Sequence, residues 1–238
     1  NPLDSNKNFL RTSLKSSLIE NLLFNERRQQ ESIKLFEISD IYYSDATVQK
    51  KKKLAIIGSG RIANNYKFFQ KKISNDYFED LFKQIIPGIE TLLIDIPRNN
   101  LDTKSKSRIM YLELDLDKIN VDHLKLMEAN KIPQKFFKVE KISDFPSSVR
   151  DISFLVKDIE KMKELEETML SFEIKILKDV FVFDYFKNEK AKEIKIGFRF
   201  IFQDKDKTLT DKEIEKIFIM IIKKAYSIES VSVPGYNL

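Results

Sequence analysis

The last third of the chain shows strand and helix patterns in the order strand, helix, strand, strand, helix, strand. The strand-like segments are residues 150–157, 176–186, 193–203 and 228–233. Apolar residues at helical spacing follow Asp158 and Thr210, and Thr210 with Glu213 matches a capping box. This order predicts an α+β domain in which helices cover one face of a sheet and leave the other face free. Such a free face is a common platform for RNA.

Alternation along these strands assigns side chains to the free face. On the third strand every second residue from Ile194 to Phe202 is apolar, so Lys195 and Arg199 point away from the core. The same rule places Ser153 of the first strand on the free face. On the second strand it predicts Phe181, Phe183 and Tyr185 in the core, with Asp184 and Phe186 outside. The predicted RNA-binding residues are therefore Ser153, Asp184, Phe186, Lys195 and Arg199.

Each of these residue types suits one kind of RNA contact. The ring of Phe186 can stack on a base, and the carboxylate of Asp184 can accept a hydrogen bond from a base edge. Lys195 and Arg199 can contact phosphates. Residues 141–238 contain 18 Lys and Arg against 18 Asp and Glu, so the attraction to RNA must come from a local patch.

The first part of the chain shows a separate set of predicted helices and strands. Helical spacing predicts helices over residues 14–28 and 76–86, and strands are predicted at residues 33–43, Leu54–Gly58, 90–96 and 108–115. The run Lys50 to Lys53 predicts a solvated loop. Pro133 and Pro146 mark the connection to the second part, so we expect domains at residues 1–141 and 142–238.

Composition excludes several classes of function. The chain has no Cys and a single His, His123, which rules out disulfides, thiolate chemistry and His-rich metal sites; we expect no metal and no Ser/His/Asp triad. No apolar run is long enough for a membrane helix, and no signal peptide is visible. We therefore expect a cytoplasmic protein with no membrane partner. Because the chain starts at Asn1, we also expect it to be a piece of a longer one.

A glycine motif supports an alternative function. Residues 56–63 match the G-x-G-x-x-A turn that binds dinucleotides after an apolar strand. That reading makes the chain a nucleotide-dependent oxidoreductase using Gly58, Ser59 and Gly60. The fold would also need a second strand ending in an acidic residue about 20 residues later. Glu79 and Asp80 fall instead inside the predicted helix, so we favour a strand that leads into a loop.

Several motifs resemble the beta chain of bacterial-type phenylalanyl-tRNA synthetases. In the first part these are Asn1-Pro2-Leu3, Leu10-Arg11-Thr12-Ser13-Leu14, Asn25-Glu26-Arg27-Arg28-Gln29 and Leu35-Phe36-Glu37-Ile38. In the second part they are Asp144-Phe145-Pro146-Ser147-Ser148-Val149-Arg150-Asp151, Val182-Phe183-Asp184-Tyr185-Phe186 and Lys207-Thr208-Leu209-Thr210-Asp211. The resemblance covers the chain from end to end and is strongest at both ends.

The resemblance implies a non-catalytic class II synthetase-like antiparallel sheet module followed by a ferredoxin-like βαββαβ anticodon-binding domain. In that family an aspartate and an aromatic residue at the positions of Asp184 and Phe186 lie against the anticodon. The family also implies an alpha chain as partner in an alpha2-beta2 assembly, tRNA(Phe) as the RNA, and ATP and Mg bound by the alpha chain. No arginine follows Tyr43 and no glycine-rich class II motif is present, so this chain alone is expected to be non-catalytic. A free-standing RNA-binding module is the remaining alternative.

Overall fold

The computed structural model describes residues 8–85, 93–119 and 142–234. The described residues form two compact units. The first contains residues 8–62, 71–85 and 93–119, and the second contains residues 63–70 together with residues 142–234. The sequence-based division had placed residues 63–70 in the first module. His123 and Pro133 lie outside the described residues.

The first unit is built on a four-stranded antiparallel sheet with the order β1-β2-β4-β3. Its elements are α1 (Lys15–Arg27), β1 (Ser32–Asp45), β2 (Thr47–Gly60), α2 (Asn75–Ile85), β3 (Ile94–Ile96), β4 (Ile109–Asp115) and a short 3-10 turn (Leu116–Lys118). Leu18 and Leu22 of helix α1, and Leu14 just before it, are buried against one face of this sheet. Phe78 of α2 is buried with residues of the opposite face.

The lysine run at residues 50–53 is part of β2, so the predicted solvated loop is wrong. Ala46, with φ of 60°, makes a tight turn between β1 and β2, and the two strands then pair along their whole length. The lysines lie among acidic side chains of neighbouring strands: Lys50 is 3.5 Å from Asp40, and Lys53 is 3.9 Å from Glu113. Pairs of opposite charge on neighbouring strands stabilise this lysine-rich strand. The lysine run on its own does not indicate a strand.

The glycine motif does not form a nucleotide-binding turn. Gly58 and Gly60 both lie within β2, and Gly58 lies between β1 and β4. A Cβ atom on Gly58 would come within 2.7 Å of the Phe78 ring, so this glycine serves close packing of α2. Gly60 has φ of +90°, which favours glycine at the end of the strand. The oxidoreductase alternative is therefore not supported.

The second unit is the predicted α+β domain. Its elements are β5 (Ser148–Val156), α3 (Ile159–Leu170), β6 (Leu177–Asn188), β7 (Glu193–Phe202), α4 (Asp211–Tyr226) and β8 (Val231–Ser232). They form an antiparallel sheet with the order β6-β7-β5-β8. The strands of the first βαβ half, β5 and β6, lie on either side of β7, and the strands of the second half, β7 and β8, lie on either side of β5. This is the ferredoxin-like arrangement, and the predicted fold class is confirmed.

Helices α3 and α4 cover one face of this sheet. Phe154, Phe198, Phe200 and Phe202 are fully buried beneath them. The predicted capping box at the start of α4 is confirmed, because Thr210 and Glu213 exchange hydrogen bonds between side chain and backbone. The Lys207 ammonium and the Thr210 backbone and hydroxyl groups lower the pKa of Glu213 to about 2. None of the described helices is long and apolar enough to cross a membrane.

Candidate nucleic-acid interface

The sheet face opposite α3 and α4 is ordered in three cross-strand rows. In the first row Phe181 and Asp151 flank Arg199, and in the second Asp184 and Ser153 flank Gly197. In the third row Phe186 and Leu155 flank Lys195. All five predicted RNA-binding residues therefore lie on one face, in adjacent rows.

A β-bulge at Phe183 changes which aromatic residues of β6 face the core. The register with β7 shifts between Val182 and Asp184, so the alternation of side chains is interrupted there. Val182 is buried in the core, whereas Phe181 pairs with Arg199 on the open face. The expectation that Phe181 and Phe183 belong to the core is wrong. Asp184 does reach the open face, but because of the bulge and not through simple alternation.

Gly197 leaves the space that the bulged residue needs. A Cβ atom at this position would lie 2.9 Å from the Phe183 ring and 3.1 Å from the Cβ atom of Asp184. The ring of Phe183 therefore lies directly on the backbone of β7, and Asp184 stands beside it. Any side chain at position 197 would displace one of the two.

Arg199 is held by neighbours on the same face. Its guanidinium donates two hydrogen bonds to the Asp151 carboxylate, at 2.8 and 2.7 Å, and its side chain is only 15% exposed. The guanidinium carbon also lies 4.8 Å from the centre of the Phe69 ring. The phosphate contact proposed for Arg199 stays a prediction, but its charge is already balanced by a carboxylate.

Residues 63–70 cover the first row of the face. Phe69 is 3% exposed, and its ring centre lies 5.7 Å from that of Phe181 and 5.6 Å from that of Phe183. Sequence reasoning missed this contact, because nothing in the local pattern of residues 63–70 indicates which strand they cover. The described part of the face that stays open is therefore the third row and the two ends of the second row, Asp184 and Ser153, because the Phe183 ring covers Gly197 between them.

The open rows carry four of the five predicted residues. Phe186 is 60% exposed, which excludes a buried role for its ring, and Lys195 is exposed. Asp184 and Ser153 are half-buried. A cavity of about 370 Å³ is lined by Ser153 and Lys195 but also by Phe218 and Ile222 of α4, which covers the other face, so this cavity lies at the edge of β5 and not on the open face itself. A ligand on this face can therefore reach an aromatic ring, a carboxylate, a hydroxyl and an ammonium group.

Comparison with known families identifies the domain that carries this face. Residues 143–230 match the model of the ferredoxin-fold anticodon binding domain, which spans nearly all of the second unit. Residues 1–86 match the model of the phenylalanyl tRNA synthetase beta chain CLM domain. The chain belongs to the phenylalanyl-tRNA synthetase beta-chain family. The resemblance seen in the sequence motifs is thus confirmed.

Individual relatives agree with this family. The phenylalanine–tRNA ligase beta subunit of Bacteroides fragilis is 26% identical over 260 residues, covering 94% of this chain and 32% of the relative. That of Clostridium acetobutylicum is 28% identical over 250 residues, covering 94% of this chain and 30% of the relative. The chloroplastic beta subunit of Pyropia yezoensis is 26% identical over 256 residues, covering 90% of this chain and 34% of the relative. The chain spans about a third of the length of the curated relatives that it matches.

Proposed function

We propose that this chain is the part of a phenylalanine–tRNA ligase beta subunit that binds the anticodon of tRNA(Phe). The open rows of the anticodon-binding domain carry the proposal: Phe186, Asp184 and Lys195 lie together on the part of the sheet face that residues 63–70 leave uncovered. RNA loops are recognised by stacking their unpaired bases on aromatic rings and by hydrogen bonds to the base edges. The three side chains offer that combination.

Each open-row residue has a distinct part in this proposal. The exposed Phe186 ring stacks on one anticodon-loop base, and the Asp184 carboxylate accepts a hydrogen bond from an amino or imino group of a neighbouring base. The Ser153 hydroxyl is a further hydrogen-bonding group, and Lys195 contacts a phosphate. Arg199 is a positioning residue in this scheme, because its pair with Asp151 and its contact with Phe69 fix the edge of the open surface.

The first test concerns the open rows. Phe186→Ala should weaken tRNA(Phe) binding by about 1–3 kcal/mol, because it removes a base stack. Asp184→Ala should weaken it in a base-dependent manner, so that replacing the contacted base abolishes the difference from the unsubstituted chain. The measurement is the equilibrium dissociation constant of the folded protein for tRNA(Phe) and for anticodon variants.

Leu155→Ala is the matched control for these two variants. This half-buried residue lies next to Lys195 in the third row, on the same face, but is not assigned a base contact. Unchanged tRNA affinity in both Phe186→Ala and Asp184→Ala, with the domain still folded, would show that RNA does not bind this face.

The first unit is proposed to dock the alpha chain, which would carry the ATP, the Mg and the charging reaction. Phe36 and Ile38 are 71% and 55% exposed on β1, an edge strand of the sheet. They pair with Ile56 and Leu54 of β2, so these four residues form an apolar strip on one face. Exposed apolar strips of this kind mark protein–protein interfaces.

We expect the chain to co-purify with the alpha chain of its own enzyme, and Phe36→Asp to reduce the amount retained at least tenfold. A charge in the middle of an apolar interface is costly to bury without a partner. Val48→Asp is the matched control, since Val48 is 67% exposed on the same hairpin but lies away from the strip. Full tRNA binding without any retention of the alpha chain would favour a free-standing RNA-binding module.

A further inference from the structure

We propose that Tyr66 and Lys67 form a second RNA-contact point at the edge of the sheet, where an unpaired base stacks on Tyr66. The inference rests on the proposed binding of RNA by the open rows and extends it to a segment outside the matched anticodon-binding domain, which begins at residue 143. Sequence reasoning assigned residues 63–70 no role in binding.

The segment is firmly anchored in the second unit. Phe69 is its anchor, because its ring is almost completely buried between Phe181, Phe183 and the Arg199 guanidinium. Burying a phenylalanine side chain contributes about 1.5–3 kcal/mol relative to leaving it exposed. The residues just before Phe69 are therefore held in a fixed position beside β6.

A compact turn sets the direction of the side chains before the anchor. The side-chain oxygen of Asn65 accepts hydrogen bonds from the amides of Lys67 and Phe68, at 3.1 and 3.2 Å. The backbone oxygen of Asn65 accepts a further bond of 2.7 Å from the amide of Phe69. Such Asx turns hold a loop in one conformation. The backbone at Tyr66 therefore already has a fixed conformation before a ligand binds.

Tyr66 is presented to solvent next to a second tyrosine. It is 45% exposed, and its ring centre lies 5.6 Å from that of Tyr185, which is 37% exposed. Tyr185 directly precedes Phe186 on β6, the edge strand of the sheet. Tyr185 pairs with the core residue Ile196 and so has the predicted inward direction, but its ring is exposed because β6 is the edge strand. The Tyr66 and Tyr185 rings thus lie at the edge of β6, next to the open face that carries Phe186.

The charge around these rings favours RNA over another protein. The Lys67 ammonium lies 5.8 Å from the centre of the Tyr66 ring. Residues 187–195, which follow Phe186, contain four lysines and two glutamates, whereas the whole of residues 141–238 is neutral. Exposed aromatic rings combined with lysines are the elements with which proteins bind single-stranded nucleic acid: the rings stack on bases and the lysines contact the backbone. The ligand class is therefore an RNA loop with unpaired bases.

The test measures binding of the 238-residue chain to a fluorescent RNA hairpin with the anticodon stem and loop of tRNA(Phe), over a series of salt concentrations. Tyr66→Ala should raise the dissociation constant by roughly five- to 150-fold, the loss expected for one base stack. Tyr66→Phe should keep nearly full affinity, because the ring remains. Lys67→Gln should reduce the slope of log affinity against log salt by about 0.7–0.9, since one phosphate contact is removed.

Tyr43→Ala is the matched control. Tyr43 is 37% exposed, and Lys51 lies 5.1 Å from its ring centre, so it reproduces the same pair of residue types in the first unit. This variant should bind the hairpin as the unsubstituted chain does. Melting curves of every variant show how much of the protein is folded, and affinities refer to the folded fraction.

The outcomes separate this inference from the function on which it rests. If Phe186→Ala weakens binding and Tyr66→Ala does not, the second contact point is refuted and the open rows stand. If neither changes affinity, or the unsubstituted chain does not bind the hairpin, both proposals fail. A loss in Tyr66→Ala that Tyr66→Phe shares would overturn base stacking. Loss of alpha-chain binding in Tyr66→Ala with unchanged RNA affinity would instead identify a protein contact.

Discussion

Phe198→Ala is expected to destabilise the second unit by about 3–5 kcal/mol, enough to unfold a large part of it at room temperature. Phe198 is fully buried at the centre of β7, with its ring centre 5.9 Å from that of Phe154 and 6.4 Å from that of Phe200. Truncation leaves a cavity among rings that other strand residues hold in place, so the surroundings cannot collapse into it. Urea unfolding followed by circular dichroism measures the effect.

Phe186→Ala provides the comparison on the same sheet. The side chain is 60% exposed, so its removal should change the free energy of unfolding by less than about 0.5 kcal/mol. The two variants therefore separate stability from binding: one unfolds the domain, and the other lowers RNA affinity in a folded domain. Similar unfolding free energies for the two would mean that the faces of the sheet are assigned wrongly.

Arg98→Ala is expected to destabilise the first unit by about 3–5 kcal/mol, because it leaves the Glu26 carboxylate buried without its cation. Arg98 donates to both Glu26 oxygens, at 3.1 and 2.7 Å, and to the hydroxyl of Ser59 at 2.9 Å. The two charged side chains are only 15% and 9% exposed. Thr103 also donates to Glu26, at 2.6 Å, so both Arg98 and Thr103 depend on the same carboxylate.

Arg108→Ala is the matched control for Arg98→Ala. Arg108 pairs with Asp95 at 2.7 Å, but the two side chains are 56% and 48% exposed. Exposed ion pairs contribute about 0–1 kcal/mol, since water and salt screen them. Equal unfolding midpoints for the two arginine variants would contradict a structural role for the buried cluster.

The pH dependence provides an independent check on the Glu26 cluster. Burial on its own raises the pKa of Glu26, but hydrogen bonds from Arg98 and Thr103 and the Arg98 charge outweigh it, so the pKa lies below the ordinary 4.5. A carboxylate with a lowered pKa stabilises the fold above its unfolded pKa, and this contribution is lost as the pH falls through the folded value. The difference in stability between the unsubstituted chain and Arg98→Ala should therefore narrow below about pH 4.5.

The sequence predicts most of the second unit because several local signals agree there. The capping box at Thr210 and the strict alternation of β7 each specify one conformation. The six residues from Phe181 to Phe186 do not specify which side chains face the core, because apolar side chains occur at both odd and even positions. Alternation therefore predicts faces but cannot locate a bulge, and the bulge at Phe183 depends on the space above Gly197 in another strand.

The contacts that sequence reasoning missed join residues of different strands or of segments far apart in the chain. Lys50 and Lys53 lie beside acidic residues of β1 and β4, the strands with which β2 pairs, and Phe69 is buried against two aromatic residues of β6. Composition alone predicts that the lysine run is a solvated loop. It does not indicate which part of the chain residues 63–70 contact. The five predicted RNA-binding residues share one face, but their roles still depend on the binding measurements.

The burial of Phe69 has a consequence for how the anticodon-binding domain is isolated. The match to the anticodon-binding domain begins at residue 143 and therefore excludes residues 63–70. These residues nevertheless complete the packing over Phe181 and Phe183. An excised domain would present two bare aromatic rings to solvent, and such a surface attracts other copies of itself. The compact second unit is thus discontinuous in the chain, and a recombinant version needs residues 63–70, linked to it or added in trans, to reproduce the surface seen here.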